Sequence, residues 1–251
     1  VGGAAPWRWP RVLAHRCGGG LAPENTLAGL EAARACGCRG VEFDAMLSAD
    51  GVPVLIHDET LERTTNGSGA VAETPFAVLR RLDAGRWFDE RFAGERIPAL
   101  GEAAARCLAL GLAVNLEIKP AAGHEAQTGR VVAELARALW RGQSLPPLSS
   151  SFSEEALAAA AVTAPELPRG LLVETVPADF RERCVCLGAI ALHVGAEGLD
   201  AATVAAVRGA GLHVLVYTVN DAQQAAALFD WGVDCIVTDH PERIKEPAAA
   251  G

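Results

Sequence analysis

A chain of 251 residues, half of them hydrophobic and 21% charged, holds enough apolar material for a large buried core and falls outside the disordered class. Its 22 Lys and Arg against 31 Asp and Glu leave a net charge of −9 with no basic stripe, which excludes nucleic acid as a partner. No apolar stretch approaches the ~20 residues that cross a bilayer, and seven scattered cysteines, an odd number, read as reduced thiols rather than a disulfide framework.

The length suits one (β/α)8 TIM-barrel domain over residues 1–251. Residues 1–11 carry Pro6, Trp7, Arg8, Trp9 and Pro10 instead of an apolar signal region, so the expected compartment is the cytoplasm. The composition leaves the oligomeric state open. Cys36-Gly-Cys38 and Cys184-Val-Cys186 are spaced too closely for the common zinc knuckles and are expected to be small core hydrophobes.

In chain order, one unit recurs: an Ala/Leu-rich helical stretch, a glycine, then a short β-rich run. It reads 31–36, Gly37, 40–45; then 102–110, Gly111, 113–118; then 201–207, Gly211, 213–219; then 222–229, Gly232, 234–238. A glycine after a helix suits a left-handed cap, and the apolar run after it suits a parallel strand buried on both faces. Runs at 11–15, 148–152, 170–173 and 189–194 bring the expected strands to eight, the number that closes a barrel. Residues 58–98 break the rhythm with Thr64-Thr65-Asn66-Gly67-Ser68-Gly69, a short helical piece near 75–82, and the aromatics Trp87, Phe88 and Phe92. A stretch of that length is expected to be a small functional insertion or cap after the second strand region.

Barrel enzymes carry their chemistry at the C-terminal ends of strands, so polar residues that end apolar runs are the informative ones. His15-Arg16 ends Val12-Leu13-Ala14, His57-Asp58 ends Val54-Leu55-Ile56, and Glu117-Ile118-Lys119 follows Val114-Asn115-Leu116. Residues two apart on a strand share a face, so Glu42 and Asp44 project together, as do Glu117 and Lys119. Buried carboxylates lose several kcal/mol of hydration each unless paired or metal-bound. Three converging ones therefore point to one hard divalent cation, Mg2+ or Ca2+. The two histidines suit acid/base work near neutral pH. Arg16 and Lys119 add the positive charge that a phosphoryl group requires. Only two residues of the chain are lysines, which makes Lys119 within an apolar run notable. His124, His193, His213 and His240 are expected to be satisfied or solvated bystanders.

His15-Arg16-Cys17-Gly18, Ala22-Pro23-Glu24-Asn25-Thr26, Gly40-Val41-Glu42-Phe43-Asp44 and Gly51-Val52-Pro53-Val54-Leu55-Ile56-His57-Asp58 together resemble the glycerophosphodiester phosphodiesterases. The similarity continues in order through Leu61-Glu62-Arg63-Thr64-Thr65, Leu116-Glu117-Ile118-Lys119, Ser151-Phe152, Tyr217-Thr218-Val219-Asn220-Asp221 and Thr238-Asp239. The resemblance implies a metal held by Glu42, Asp44 and Glu117, His15 and His57 as the acid/base pair, and a small glycerophosphodiester as substrate. It implies attack by the neighbouring glycerol hydroxyl, a cyclic phosphate opened by water, and release of glycerol 3-phosphate and an alcohol. Phe152 and Tyr217 fall where the family lines its substrate pocket. Related readings are a barrel that cleaves lysophospholipids, which would need an apolar rim near Trp87, Phe88 and Phe92, and a barrel that binds a phosphorylated ligand without catalysis. Two positions depart from the family: Cys17 stands where glycine is usual and Tyr217 where tryptophan is usual. Cys17 is expected to strain the loop by roughly 1 kcal/mol or more, with Gly18 to Gly20 available to absorb it. Glu24 and Asn25 read as helix-entry residues, with a bridge from Glu24 to Arg16.

Overall fold

Each of the eight expected runs becomes a strand of one closed sheet in the computed structural model, which describes residues 6–246. The strands are β1 (Val12–Ala14), β2 (Gly40–Leu47), β3 (Pro53–Leu55), β4 (Ala113–Ile118), β5 (Leu148–Ser151), β6 (Arg169–Val173), β7 (Ala191–Gly195), β8 (His213–Tyr217) and β9 (Cys235–Thr238). All but β3 pair in parallel in the order β1-β9-β8-β7-β6-β5-β4-β2, and pairing of Ala14 with Val41 closes the ring. This is a (β/α)8 barrel.

Among the described residues, seven helices connect successive barrel strands: α1 (Leu27–Ala35), α3 (Leu100–Leu110), α4 (Glu125–Leu139), α5 (Glu154–Thr163), α6 (Phe180–Leu187), α7 (Ala201–Gly209) and α8 (Ala222–Asp230), with α2 (Phe76–Leu79) a short extra piece. Their starts are chemical. Thr26, Ser153, Asp200 and Asp221 each accept a backbone N–H of the first turn, a bond whose loss typically costs about 1 kcal/mol. Gly37, Gly111, Gly211 and Gly232 all take positive φ, as the repeat predicts. The helices bury small and aliphatic faces on the outside of the strands in two clusters, one centred on Phe43, Leu116 and Leu100, the other on Leu171, Val214 and Ile236. Truncating a fully buried member such as Leu116 to Ala would cost roughly 2–5 kcal/mol.

The run ending in His57 is not a barrel strand. β2 overshoots the ring to Leu47, turns through Ser48, Asp50 and Gly51, and returns as β3, antiparallel, with Ala45 opposite Leu55 and Leu47 opposite Pro53. His57 thus follows a hairpin that folds back toward the rim, instead of ending a strand that rises from the barrel floor. The reading of a barrel-strand end holds for His15 and Glu117, whereas His57 follows the antiparallel strand β3. Periodicity alone does not distinguish a parallel strand from a short hairpin return.

Registers decide what faces the lumen. Glu42 pairs with Asn115 and Asp44 with Glu117. Across the barrel Leu172 pairs with His193, and His193 with Leu215. Paired residues of parallel neighbours project to the same face, so one arc of the lumen is acidic and the opposite arc is aliphatic with a single histidine.

Candidate active site

A cavity of about 230 Å3 opens at the C-terminal end of the barrel, lined by His15, Arg16, Glu42, Asp44, His57, Glu117, Lys119, Phe152 and Tyr217, with a deeper part formed by Asn115, Ser150, Leu172, His193 and Leu215. All nine residues singled out from the sequence therefore stand around one space.

Glu42, Asp44 and Glu117 form its acidic wall, each offering an oxygen within 4.8 Å of the others. Burial, then repulsion from Asp44 and Glu117, pushes the Glu42 carboxyl up. Burial and Asp44 likewise push Glu117 up to about 7, against the pull of Lys119. Three crowded oxygen donors, with Glu42 and Glu117 pushed above the ordinary carboxylate range, are what a hard divalent cation relieves, so the residues fit such an ion. The positions are held from outside: Asn25 Nδ2 donates to Asp44 Oδ2 at 2.8 Å while the Asp44 amide donates to Asn25 Oδ1 at 3.2 Å. Asn25 is thus a clamp for Asp44 and not a helix cap, a role taken by Thr26.

His15 and His57 are each backed by a carboxylate. His15 Nδ1 lies 2.7 Å from Asp239 Oδ1, and Asp239 is fixed in turn by Asn220. The bond from His15 holds the Asp239 carboxyl down to about 2 against burial. His57 Nδ1 lies 2.8 Å from Asp58 Oδ1, and Lys119 Nζ donates to His57 Nε2 at 2.8 Å. With Asp58 ionised, Nδ1 carries the proton and Nε2 is the acceptor. Burial lowers the His57 pKa, with Arg16 and Lys119 adding to it and Asp44 and Asp58 opposing.

One arginine ties these parts together. Arg63 donates through Nε and Nη2 to Asp58, at 2.6 and 2.9 Å, and through Nη1 and Nη2 to Glu24, both at 2.8 Å. Glu24 in turn accepts from Arg16 Nη1 at 3.0 Å, the bridge expected from the sequence. Burial raises the Glu24 pKa, but the bonds from Arg63 and the charge of Arg16 outweigh it and keep the carboxyl low. Lys119 stands 3.5 Å from Glu117 and 3.9 Å from Asp44, so its charge is shared between the acidic wall and His57.

Cys17 carries the expected strain. It takes the left-handed conformation itself, at φ 77°, directly after Arg16 at φ 47°. The glycines that follow do not absorb the cost, which is about 1–2 kcal/mol per residue. The bend aims the Arg16 amide at Glu42 Oε2, 2.9 Å away, and the Cys17 amide at the Glu42 carbonyl, 2.7 Å away. Room for the buried side chain comes from Gly29, where a Cβ would stand 2.8 Å from that of Cys17. Burial pushes the thiol pKa well up, so Cys17 is a packing residue and not a nucleophile.

At the mouth, Phe152 is 45% exposed and meets Tyr217 edge to face, with ring centroids 6.0 Å apart. The Tyr217 hydroxyl is spent on the Val173 carbonyl at 2.8 Å, leaving the ring as a wall. Trp87 meets Phe88, and Phe88 meets Phe92, edge to face, and none of the three lines the cavity. The rim that a lysophospholipid reading would require is not built from them.

The remaining histidines divide. His213 pairs with Asp234, His240 with Glu242, and His124 lies 3.5 Å from Gln127. His193, expected to be satisfied or solvated, is neither: it is fully buried and both ring nitrogens lack a partner. Cys38 lies in one core cluster with the half-buried Cys36 packed against it, Cys184 lies in another, and Cys186 is exposed and not a core residue. Among the described residues, the acidic triad is the one cluster suited to a metal.

Sequence reasoning missed Asp239, Arg63, Asn25 and His193 as parts of this site. Asp239 carried the same signal as His15, since it follows the apolar end of β9. Arg63 and Asn25 act through side chains already named, and nothing in their spacing reveals that.

The family model of the glycerophosphoryl diester phosphodiesterases matches residues 15–243. The chain belongs to that family. It is 34% identical over 237 residues to a glycerophosphodiester phosphodiesterase of Caldanaerobacter subterraneus subsp. tengcongensis, covering 93% of this chain and 95% of the relative. Among solved structures, an Oleispira antarctica phosphodiesterase in complex with the product sn-glycerol-3-phosphate superposes with a TM-score of 0.91 at 41% identity, over 94% of this chain and 95% of the other. A glycerophosphodiester phosphodiesterase from Agrobacterium tumefaciens matches with a TM-score of 0.75 at 30% identity, over 93% and 97% of the two chains. The family member described here is an enzyme of the phosphoric diester hydrolase class, and no helix among its described residues is long and apolar enough to cross a membrane.

Proposed function

We propose that the chain hydrolyses small glycerophosphodiesters, such as glycerophosphocholine and glycerophosphoethanolamine, to glycerol 3-phosphate and an alcohol with the help of one divalent cation, Mg2+ or Ca2+. The observation that carries this reading is the meeting, in one cavity, of three crowded carboxylates, two carboxylate-backed histidines and two cationic side chains.

Glu42, Asp44 and Glu117 would hold the cation, which when bound supplies positive charge for the phosphoryl oxygens. Arg16 and Lys119 bind the same phosphate from the side of the histidines. One of His15 and His57 takes the proton of the neighbouring glycerol hydroxyl as its oxygen bonds to phosphorus, and the other protonates the departing alcohol oxygen as its bond to phosphorus breaks. Water then adds to the cyclic phosphate and opens the ring, with the two histidines exchanging roles. Asp239 and Asp58 keep each imidazole in one tautomer and orientation, as the carboxylate of a catalytic triad does. Lys119, now on His57 Nε2, shifts to phosphate when substrate arrives and frees that nitrogen. Residues 58–98, within one domain of residues 1–251, serve as a cap that brings Arg63 to Asp58 and Glu24. Seven free cysteines support a cytoplasmic location.

The test is a panel of head-group diesters assayed with Mg2+ or Ca2+. Glycerol 3-phosphate should appear from glycerophosphocholine or glycerophosphoethanolamine, and EDTA should abolish it. Turnover of none of these diesters with either ion overturns the reading, and turnover of lysophospholipids alone replaces its substrate.

A further inference from the structure

His193 sits in the middle of β7 with no exposed surface, yet it lines the deep part of the cavity and neither ring nitrogen has a partner. Buried polar atoms in folded proteins are nearly always paired, so an imidazole that lines a cavity and has two unpaired nitrogens calls for a partner from that cavity. The ring has a place made for it. A Cβ at residue 170 would stand 2.2 Å from His193 Nε2, so the glycine on β6 is what leaves room for the imidazole against that strand. On β5, in register with Gly170, Ser150 is buried and its oxygen already accepts from Asn115 Nδ2 at 2.8 Å. Its hydroxyl proton is therefore still to be donated. Around this pair, apart from Asn115, the deep lining is aliphatic, with Leu172, Leu215 and Val237.

A carbon chain ending in one hydroxyl is the ligand chemistry that such a floor accepts. The phosphoryl end belongs at the rim, beside the carboxylates, Arg16, Lys119 and the two histidines. The departing alcohol varies in size and leaves toward solvent past Phe152. What points inward is the glycerol end.

We propose that His193, with Ser150, binds the terminal hydroxyl of the glycerol unit and so selects diesters of glycerol over diesters lacking that hydroxyl. The proposal rests on the phosphodiesterase reading above and deepens it. Burial lowers the His193 pKa to about 3, so the ring stays neutral and offers one donor and one acceptor across the working pH range.

The deciding comparison is glycerophosphocholine against the phosphocholine diester of 1,2-propanediol, which keeps the attacking hydroxyl and lacks only the terminal one. Wild-type protein should prefer the first by roughly 10- to 100-fold in kcat/KM, because a site built to bond a hydroxyl penalises the analogue without it. His193→Leu should bring the two substrates within about 3-fold by slowing glycerophosphocholine alone, and His193→Gln should retain part of the preference. Gly170→Ala, which pushes the ring aside, should behave like His193→Leu. If His193→Leu keeps the preference, the ring meets only water and the proposal fails. Equal loss on both substrates also overturns it, by showing a merely structural role. Absence of turnover on either substrate by wild-type protein would instead overturn the phosphodiesterase reading, and this one with it.

Discussion

The arc of the barrel formed by β1, β2 and β4 and the arc formed by β6 to β9 share one strand geometry but line their halves of the cavity with opposite chemistry. The first presents Glu42, Asp44, Glu117, Lys119, His15 and Arg16, nearly all tied to another charged or polar group. The second presents Leu172, Leu215 and Val237 around an unpaired imidazole. Charge is concentrated on one wall and shape is supplied by the other. A phosphodiester has the same asymmetry, an ionic centre flanked by alkyl arms, and the barrel can meet it because adjacent strands are free to differ at every inward position.

The sharpest way to break this contrast is to remove charge from the acidic arc. Glu42→Ala should weaken metal binding by roughly 1000-fold, well above the 10- to 100-fold typical of residues that only support a ligand, as titration of the purified protein with Mg2+ or Ca2+ would read. His15→Ala and His57→Ala should instead lower turnover by about 100-fold or more while keeping metal affinity. Loss of metal from the histidine variants as severe as from Glu42→Ala would show that the division between metal and proton duties is wrong.

A smaller effect is expected outside the cavity, at Arg63. Its guanidinium links the carboxylate behind His57 to the carboxylate behind Arg16. Arg63→Met should cost roughly 10-fold in kcat through loosened geometry and shift the pH at which His57 titrates, while Arg63→Lys recovers little because one ammonium cannot serve both carboxylates in a fork. An unchanged pH profile would reduce Arg63 to a surface bridge.

The smallest effect is thermodynamic. The folded pKa of Glu117, about 7, lies above its ordinary value near 4.5, so between those values the folded chain binds more protons than the unfolded one. Its contribution is present at low pH and is lost as pH rises through 7. In EDTA, wild-type protein should therefore lose a few °C more in Tm between pH 5 and 8 than Glu117→Gln does, since about 1 kcal/mol moves Tm by roughly 2–4 °C at this length. A divalent cation should reverse the wild-type slope, because it favours the ionised carboxylates. Parallel curves for the two proteins would mean that the carboxylates are not in conflict.

The acidic arc was legible from alternation along short apolar runs. Glu42 and Asp44 share a face because strand side chains alternate, and Glu117 and Lys119 do so for the same reason. The other arc was not. His193 looked like any isolated histidine, since its meaning lies in a missing Cβ on the neighbouring strand, at Gly170. His57 was picked out for its place after an apolar run, but that run proved to be a hairpin return.

What the sequence determined by itself was local: the βα repeat with its glycine caps, the eight barrel strands, the polar residues that end or interrupt them, and the family likeness carried by their order. Hydrophobic period and backbone preference act over a few residues, so they are visible in one dimension. The tertiary structure alone decided which carboxylate backs each histidine, how Arg63 joins them, why Cys17 can occupy a left-handed position, and which imidazole is left without a partner. Those facts depend on register and closure of the sheet, which bring together residues as distant as His15 and Asp239, 224 positions apart, and no local pattern encodes such a meeting.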